Sequence, residues 1–228
     1  MSDPRRVLLA GATGLIGTEV MRQSIDHPWL NLVALTRREA PMPRGARMEM
    51  MVADPSGWPE AVATIAPDAV ICALGTTWRT AGSEQAFRAV DHDLVLALAT
   101  AARDLGVANF VLISSVGADA HAKAFYLRVK GEIEAALTRL RLRRLDVLRP
   151  GLLRGKRGGD RRFGERLAIL ASPLTDRLLH GDKRRFRSID ARIVAAAAIQ
   201  CANEKAQGRF VHDNDSIHRA ARRLAGIG

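Results

Sequence analysis

Short aliphatic runs alternate with longer amphipathic stretches through the first two-thirds of the chain. The runs Arg6 to Ala10, Leu32 to Thr36, Met48 to Ala53, Ala69 to Ala73, Phe110 to Ser114 and Asp146 to Leu148 are predicted as strands. Between them, Ser83 to Leu105 reads as one long helix with Ser83 as its N-cap and Gly106 closing it, and Ala122 to Leu140 as another. Strand and helix in turn is the pattern of a parallel sheet covered on both faces. The expected fold class is therefore α/β, a doubly wound parallel sheet of about six to seven strands with right-handed crossovers. After Pro150 the rhythm changes to basic loops, a helix around Phe163 to Ala171, a second from about Asp190 to Asn203, a strand Arg209 to His212 and a terminal helix to Leu224. We read residues 1–228 as a single domain whose segment 151–228 supplies a small cap on the substrate side.

Composition narrows this only a little. A chain of 228 residues, 47% apolar and 4% aromatic, can bury one aliphatic core. Its longest apolar run, Ile193 to Ile199, is far too short for a membrane span, and Met1 to Arg6 leads into a strand without an apolar leader. Those two points predict a cytoplasmic protein. Cys72 and Cys201, far apart in apolar surroundings, read as buried side chains with no disulfide or metal role. The net charge of +11 invites a nucleic-acid reading, but arginine supplies 30 of the 35 basic residues and is scattered. The densest stretch, Arg154 to Arg187, has only Phe163 and Phe186 for stacking, so nucleic acid is not the expected main partner. His92, His121 and His212 stand isolated, without a pair at ligand spacing, and Asp182, Asp190, Asp213 and Asp215 read as turn and cap residues.

The first strand runs directly into Gly11-Ala12-Thr13-Gly14-Leu15-Ile16-Gly17, which opens a helix. Glycines let the backbone approach a diphosphate, and the helix N-terminus offers unpaired N–H groups and a favourable dipole. A glycine triplet is weak evidence by itself; placed between a strand and a helix it predicts a dinucleotide cradle. Ligands of such sheets bind beyond the carboxyl ends of the strands, so the residues after each strand belong together. Twenty residues past Gly17, where a carboxylate would hold the ribose hydroxyls of NAD, stand Arg37 and Arg38. Their guanidinium forks suit a 2′-phosphate, so the predicted cofactor is NADP (NADPH), preferred over NAD. Asp54 is placed to meet the adenine amino group, and Leu74-Gly75-Thr76-Thr77 to turn near the diphosphate and ribose.

The fifth strand ends at Ser114-Ser115, and eleven residues past Ser115 comes Tyr126-Leu127-Arg128-Val129-Lys130. A spacing of four puts Tyr126 and Lys130 on one helix face. Tyr126 is the chain's only tyrosine, and a lysine here runs against a six-to-one preference for arginine. The ammonium and an oxidised nicotinamide ring would both stabilise a phenolate and ease proton transfer at Tyr126, while a serine hydroxyl polarises the substrate oxygen. Ser114 and Ser115 are equal candidates for that hydroxyl.

These motifs, Gly11-x2-Gly14-x2-Gly17 with Tyr126-x3-Lys130, resemble the short-chain dehydrogenase/reductases. Cys72 to Thr77, Phe87 to Asp91, Ser114 to Asp119, Phe125 to Glu132 and Leu148-Arg149-Pro150 are similar to a small atypical group typified by the Tat-interacting oxidoreductase. The resemblance implies a Rossmann-like NADP-binding fold, Tyr126 as proton donor or acceptor, Lys130 as its electrostatic partner, and Pro150-Gly151-Leu152 near the nicotinamide. Where better-studied members place a relay asparagine in the fourth helix, this chain has Asp91 and Asp93, and a relay role for either stays open. The implied activity is NADP-dependent hydride transfer to or from an unidentified carbonyl or related substrate. An alternative is a regulatory protein that senses NADP(H) and acts through a protein partner. The arginines around the expected pocket hint at an anionic small molecule, and the two long helices offer surfaces for a homodimer.

Overall fold

Apolar runs too short for helices and too continuous for one-sided strands have one good solution, a sheet buried on both faces. The computed structural model describes residues 4–155 and 186–226. Its strands are β1 (Arg5–Ala10), β2 (Leu30–Thr36), β3 (Glu49–Val52), β4 (Ala69–Cys72), β5 (Asn109–Ile113), β6 (Arg144–Leu148), β7 (Leu153–Arg154), β8 (Ile189–Asp190) and β9 (Gly208–His212). Seven of them form one sheet in the order β3-β2-β1-β4-β5-β6-β9, and every neighbouring pair is parallel. β7 and β8 pair separately, also in parallel. The fold is the doubly wound α/β sheet expected, with the predicted strand at 209–212 joining it as the seventh member.

The helices are α1 (Leu15–Gln23), α2 (Trp58–Ile65), α3 (Trp78–Ala81), α4 (Glu84–Arg88), α5 (Leu94–Asp104), α6 (Phe125–Arg139), α7 (Ala191–Asn203) and α8 (Asn214–Ala225). Alternate residues of each strand choose between two layers. Val7 and Leu9 of β1 join Ile71, Val111, α1, α7 and α8 in one core; Leu8 and Ala10 join Val70, Cys72, Leu112, α2, α5 and α6 in the other. Asp190 and Asp213 cap α7 and α8 by accepting from the amides of Arg192 and Ser216, as their reading as cap residues required. Because α7 packs on α1 and the sheet, the described part of the C-terminal segment builds a layer of the main core. The helix expected at 163–171 and Asp182 lie outside the described residues.

Two predicted helices differ from the structure. The single helix expected over 83–105 divides into α4, a π-helical stretch Ala89–Asp93, and α5, although Ser83 does cap its start and Gly106, at φ +69°, does close its end. The helix expected from Ala122 starts at Phe125 instead. Asp119 holds the preceding turn, its carboxylate accepting from the His121 amide and its carbonyl from the Ala122 amide, and this turn packs where a Gly131 side chain would have been.

Candidate active site

Parallel strands end on one side, so Gly11, Arg37, Asp54, Leu74, Ser114 and Pro150 all emerge at the same edge of the sheet. The chain crosses from one half of the sheet to the other between β1 and β4, and the glycine loop sits in that crevice. Gly11 has φ +88°, and a Cβ there would lie 2.5 Å from the Ala73 carbonyl oxygen. A Cβ at Gly17 would lie 2.2 Å from the Gly11 carbonyl oxygen. The loop is thus closed on itself and on β4, and the Gly14 amide donates back to the Gly11 carbonyl at 3.0 Å. Helix α1 carries neither a side-chain cap nor an acidic residue in its first turn. Its leading amides and dipole therefore suit an anion, and these residues fit a dinucleotide diphosphate. Ala12 is buried beneath the loop, Thr13 is exposed, and Leu15 and Ile16 pack against the α1 side of the core.

Arg37 and Arg38 follow β2 directly, both exposed, and neither makes an ion pair with a carboxylate among the described residues. Asp54 is exposed as well, but its side chain accepts from the amide and hydroxyl of Ser56 at 3.0 and 2.7 Å, capping a short 3-10 turn. Thr77 is likewise a cap, for α3, accepting from the Thr80 amide at 3.2 Å.

Behind the Leu74–Thr77 turn lies the densest charge in the site. Asp91 and Lys130 form an ion pair at 2.8 Å, with side chains 0% and 4% exposed. The other Asp91 oxygen accepts from the Thr76 amide at 2.8 Å. A Cβ at Gly75 would stand 3.7 Å from Asp91 Oδ1 and 4.0 Å from Lys130 Nζ, so the turn lies across the pair. Burial alone would pull the Lys130 ammonium down, but Asp91, Tyr126 and Cys72 outweigh it and hold the lysine above its ordinary range. Asp93, the second acid left open by the sequence, is exposed and contacts the His92 ring at 2.7 Å. Asp91 stands four residues from the buried Phe87 and four from the buried Val95, on one helix face, but its pairing with Lys130 of α6 depends on how two helices pack and could not be read from the sequence.

Tyr126, one turn before Lys130 on α6, is 42% exposed. Its ring meets the buried Phe87 edge-on at 5.9 Å; Phe87 meets Phe125 at 5.6 Å, and Phe125 meets Trp78 at 5.8 Å. Trp78 is 56% exposed. Among the described residues, then, an aromatic row flanks Tyr126. Arg128, which might have served an anion, stacks over Phe125 at 5.6 Å and donates to the carbonyls of Ala122 and Lys123.

The two serines are not equivalent. Ser114 is buried and donates to Glu134 at 2.5 Å, and Arg149 clamps the same carboxylate with Nε at 3.0 and 3.1 Å and with Nη2. Ser115 is half-buried and, among the described residues, its hydroxyl makes only a 3.3 Å contact to the Val116 carbonyl. Pro150 is buried against the same strand end, its carbonyl accepting from the Val116 amide at 2.9 Å, and Leu152 accepts from the Ile189 amide. A cavity of about 380 Å³ beside Glu134, Arg149 and Arg209 is lined by neither Tyr126 nor Lys130 and lies off this site.

His212 is not isolated, contrary to expectation. Its Nε2 lies 2.7 Å from Asp146 and 3.8 Å from the Cys201 sulfur, all three ligand atoms within 4.8 Å of one another. The sequence could not show this because β6, β9 and α7 bring together residues far apart in the chain. Arg144 already holds both Asp146 oxygens at 2.6 and 2.9 Å, and burial keeps Cys201 a thiol. One ring nitrogen serves both neighbours, whereas a nucleophile relay uses two. The cluster is a polar seam closing the edge of the sheet. Cys72 and Cys201 are free and buried, as expected.

A parallel sheet with a glycine cradle at its crossover, an ion-paired lysine behind it and an exposed tyrosine one turn away defines a nucleotide-binding protein of the short-chain dehydrogenase/reductase type. Residues 11–205 match the NAD(P)H-binding family, and the chain belongs to it. It is 38% identical to "Protein FMP52, mitochondrial" of Eremothecium gossypii, over 75% of this chain and 76% of that one. With the Emericella nidulans fmp52 protein it shares 37% identity over 68% and 70% of the two chains. A Bacillus halodurans protein classed provisionally as an NAD-dependent epimerase/dehydratase superposes with a TM-score of 0.71 at 22% identity, covering 96% of this chain and 99% of that one. The relatives correct one expectation. Both FMP52 proteins are named as mitochondrial, which overturns the cytoplasmic placement; the lead-in to β1 and the shortness of apolar runs do not specify a compartment. No helix among the described residues is long and apolar enough to cross a membrane.

Proposed function

We propose that this protein is an NADP-dependent oxidoreductase that exchanges hydride with a carbonyl or related acceptor, in preference a planar apolar one. The observation that carries the reading is the ammonium of Lys130, buried behind the Gly75–Thr76 turn and one helical turn from an exposed tyrosine. The nicotinamide, when bound, supplies the hydride. Gly11, Gly14 and Gly17 with the first turn of α1 would hold the diphosphate, and Arg37 and Arg38 the 2′-phosphate. Lys130 has donors left beyond Asp91 for the ribose hydroxyls. Tyr126 passes the proton to or from the substrate oxygen, and Ser115 polarises that oxygen, because Ser114 is committed to Glu134. Trp78 and Phe125 form the wall against which a flat substrate stacks, which replaces the anionic substrate suggested by the arginine count.

The test is NADPH consumption against a panel of aldehydes, ketones, quinones and flavins. Tyr126→Phe should abolish turnover and leave NADPH binding nearly intact; unchanged turnover removes the tyrosine from the reaction. Replacing Arg37 and Arg38 together should erase most of a preference for NADPH over NADH, and equal affinities in the parent would refute that preference. A parent that binds NADPH but oxidises it with none of these acceptors would favour the regulatory alternative.

A further inference from the structure

We infer that Asp91 is a positioning residue for the proposed reaction: it keeps Lys130 an aimed, charged ammonium and ties it to the turn expected to carry the cofactor. The inference rests on the function proposed above and adds a residue that the Gly-loop and Tyr-Lys motifs do not contain. Three observations meet at this carboxylate. Its two oxygens serve two different elements, Lys130 of α6 and the Thr76 amide of the turn after β4, each at 2.8 Å. It is buried, so these partners are not traded for water. And it lies in the π-helical stretch Ala89–Asp93; π-bulges of this kind are often found at functional sites.

The charge argument is specific. The groups acting on Lys130 are Asp91 from the π-helical stretch, Tyr126 from its own helix and Cys72 from β4. Burial pushes the Cys72 thiol up to about 11, so at neutral pH it carries no charge. Asp91 is then the formal negative charge that offsets the burial of the ammonium. A buried ammonium without such a partner tends to shed its proton. In Asp91→Asn the amide keeps the shape and a carbonyl for the Thr76 amide, but the largest influence opposing burial is gone. The Lys130 pKa falls, and the lysine is charged only below that lowered value and neutral above it.

The chain has five lysines, so their Cε carbons can be followed singly by NMR after 13C labelling. In the parent, Lys130 should titrate last of the five. In Asp91→Asn it should titrate at least ~3.5 pH units before the others, and kcat for NADPH consumption with a naphthoquinone should fall tenfold or more at pH 8 and recover toward pH 6, with KM changing little. If Lys130 of the variant titrates with the other lysines and its pH profile superposes on the parent's, the proposal is overturned. Asp91→Asn combined with Lys130→Met removes both buried charges and serves as a folding control. Should the single variant fail to fold while the double variant folds, the uncompensated ammonium is the cause and the proposal stands; should neither fold, Asp91 is only a structural residue and the proposal falls. The lysine titration needs no turnover, so its failure is separable from a failure of Tyr126→Phe to stop the reaction.

Discussion

Gly17→Ala is the sharpest test of the cradle, because its cost can be worked from one contact. The new Cβ would lie 2.2 Å from the Gly11 carbonyl oxygen, 2.7 Å from the Ala12 Cα and 2.8 Å from the Gly11 carbonyl carbon. To reach the 3.4 Å at which ordinary van der Waals contact begins, loop and helix must part by about 1.2 Å. All three obstructing atoms are backbone, so no rotamer can absorb the move. Overpacking of this kind costs about 1–3 kcal/mol. The carbonyl that must retreat also accepts the Gly14 amide at 3.0 Å, and losing that bond adds about 1 kcal/mol. A total near 3 kcal/mol corresponds in a chain of this size to a fall of roughly 6–12 °C in Tm. If the loop cradles the diphosphate, the same displacement should weaken NADPH binding at least tenfold. Thermal unfolding and calorimetric titration measure the two effects, and Gly57→Ala, with no atom within 4 Å of its Cβ, is the control expected to change neither by much. A Gly17→Ala protein within about 1 °C of the parent and with NADPH affinity within twofold would refute both the close approach and the cradle.

Ser115→Ala should lower kcat by about a hundredfold with little effect on Tm, whereas Ser114→Ala should chiefly destabilise, by about 1–3 kcal/mol, because it leaves the buried Glu134 oxygen short of a donor. The reverse pattern, read from steady-state kinetics and melting curves, would exchange their roles. Trp78→Ala should raise KM for a naphthoquinone about tenfold and leave KM for a small aliphatic aldehyde and Kd for NADPH within twofold; an equal rise for both acceptors would sink the stacking wall. Cys72, buried and with its thiol pushed up to about 11, should resist an exposed-thiol reagent at pH 8 until the protein is unfolded; rapid native-state labelling of Cys72, located by mass spectrometry, would contradict its burial.

The sheet was legible because it depends on local composition. A strand covered on both faces must be apolar at consecutive positions, and Val7-Leu8-Leu9-Ala10 divides its side chains between two cores in the structure as that rule requires. The boundaries were less legible. The start of α6 moved from Ala122 to Phe125 because Asp119 holds a turn that must pass Gly131 closely, a contact between segments about twelve residues apart that no periodicity encodes. Strand β9 was visible as a short run, but that it would pair with β6, and so bring His212 to Asp146 and Cys201, depends on which edge of the sheet remained open.

The site divides along the same line. Tyr126 and Lys130 lie on one helix, so a spacing of four was enough to bring them together, and the glycine loop is contiguous. Which serine keeps a free hydroxyl was not available from the sequence, since Ser114 and Ser115 differ only in the direction each takes as β5 ends, and that direction is fixed by Glu134 and Arg149 from two other elements. Asp91 is the clearest case. On a helix from 83 to 105, Asp91 shares the i, i+4 face of the buried Phe87 and Val95 whereas Asp93 falls on the exposed side, so the spacing alone ranks Asp91 as the inward acid. What the spacing could not name is the partner, because Lys130 comes from α6 and only the packing of the two helices makes the buried acid an ion pair. The motif therefore points to the tyrosine and the lysine, while the carboxylate paired with the lysine comes from a neighbouring helix that the motif does not include.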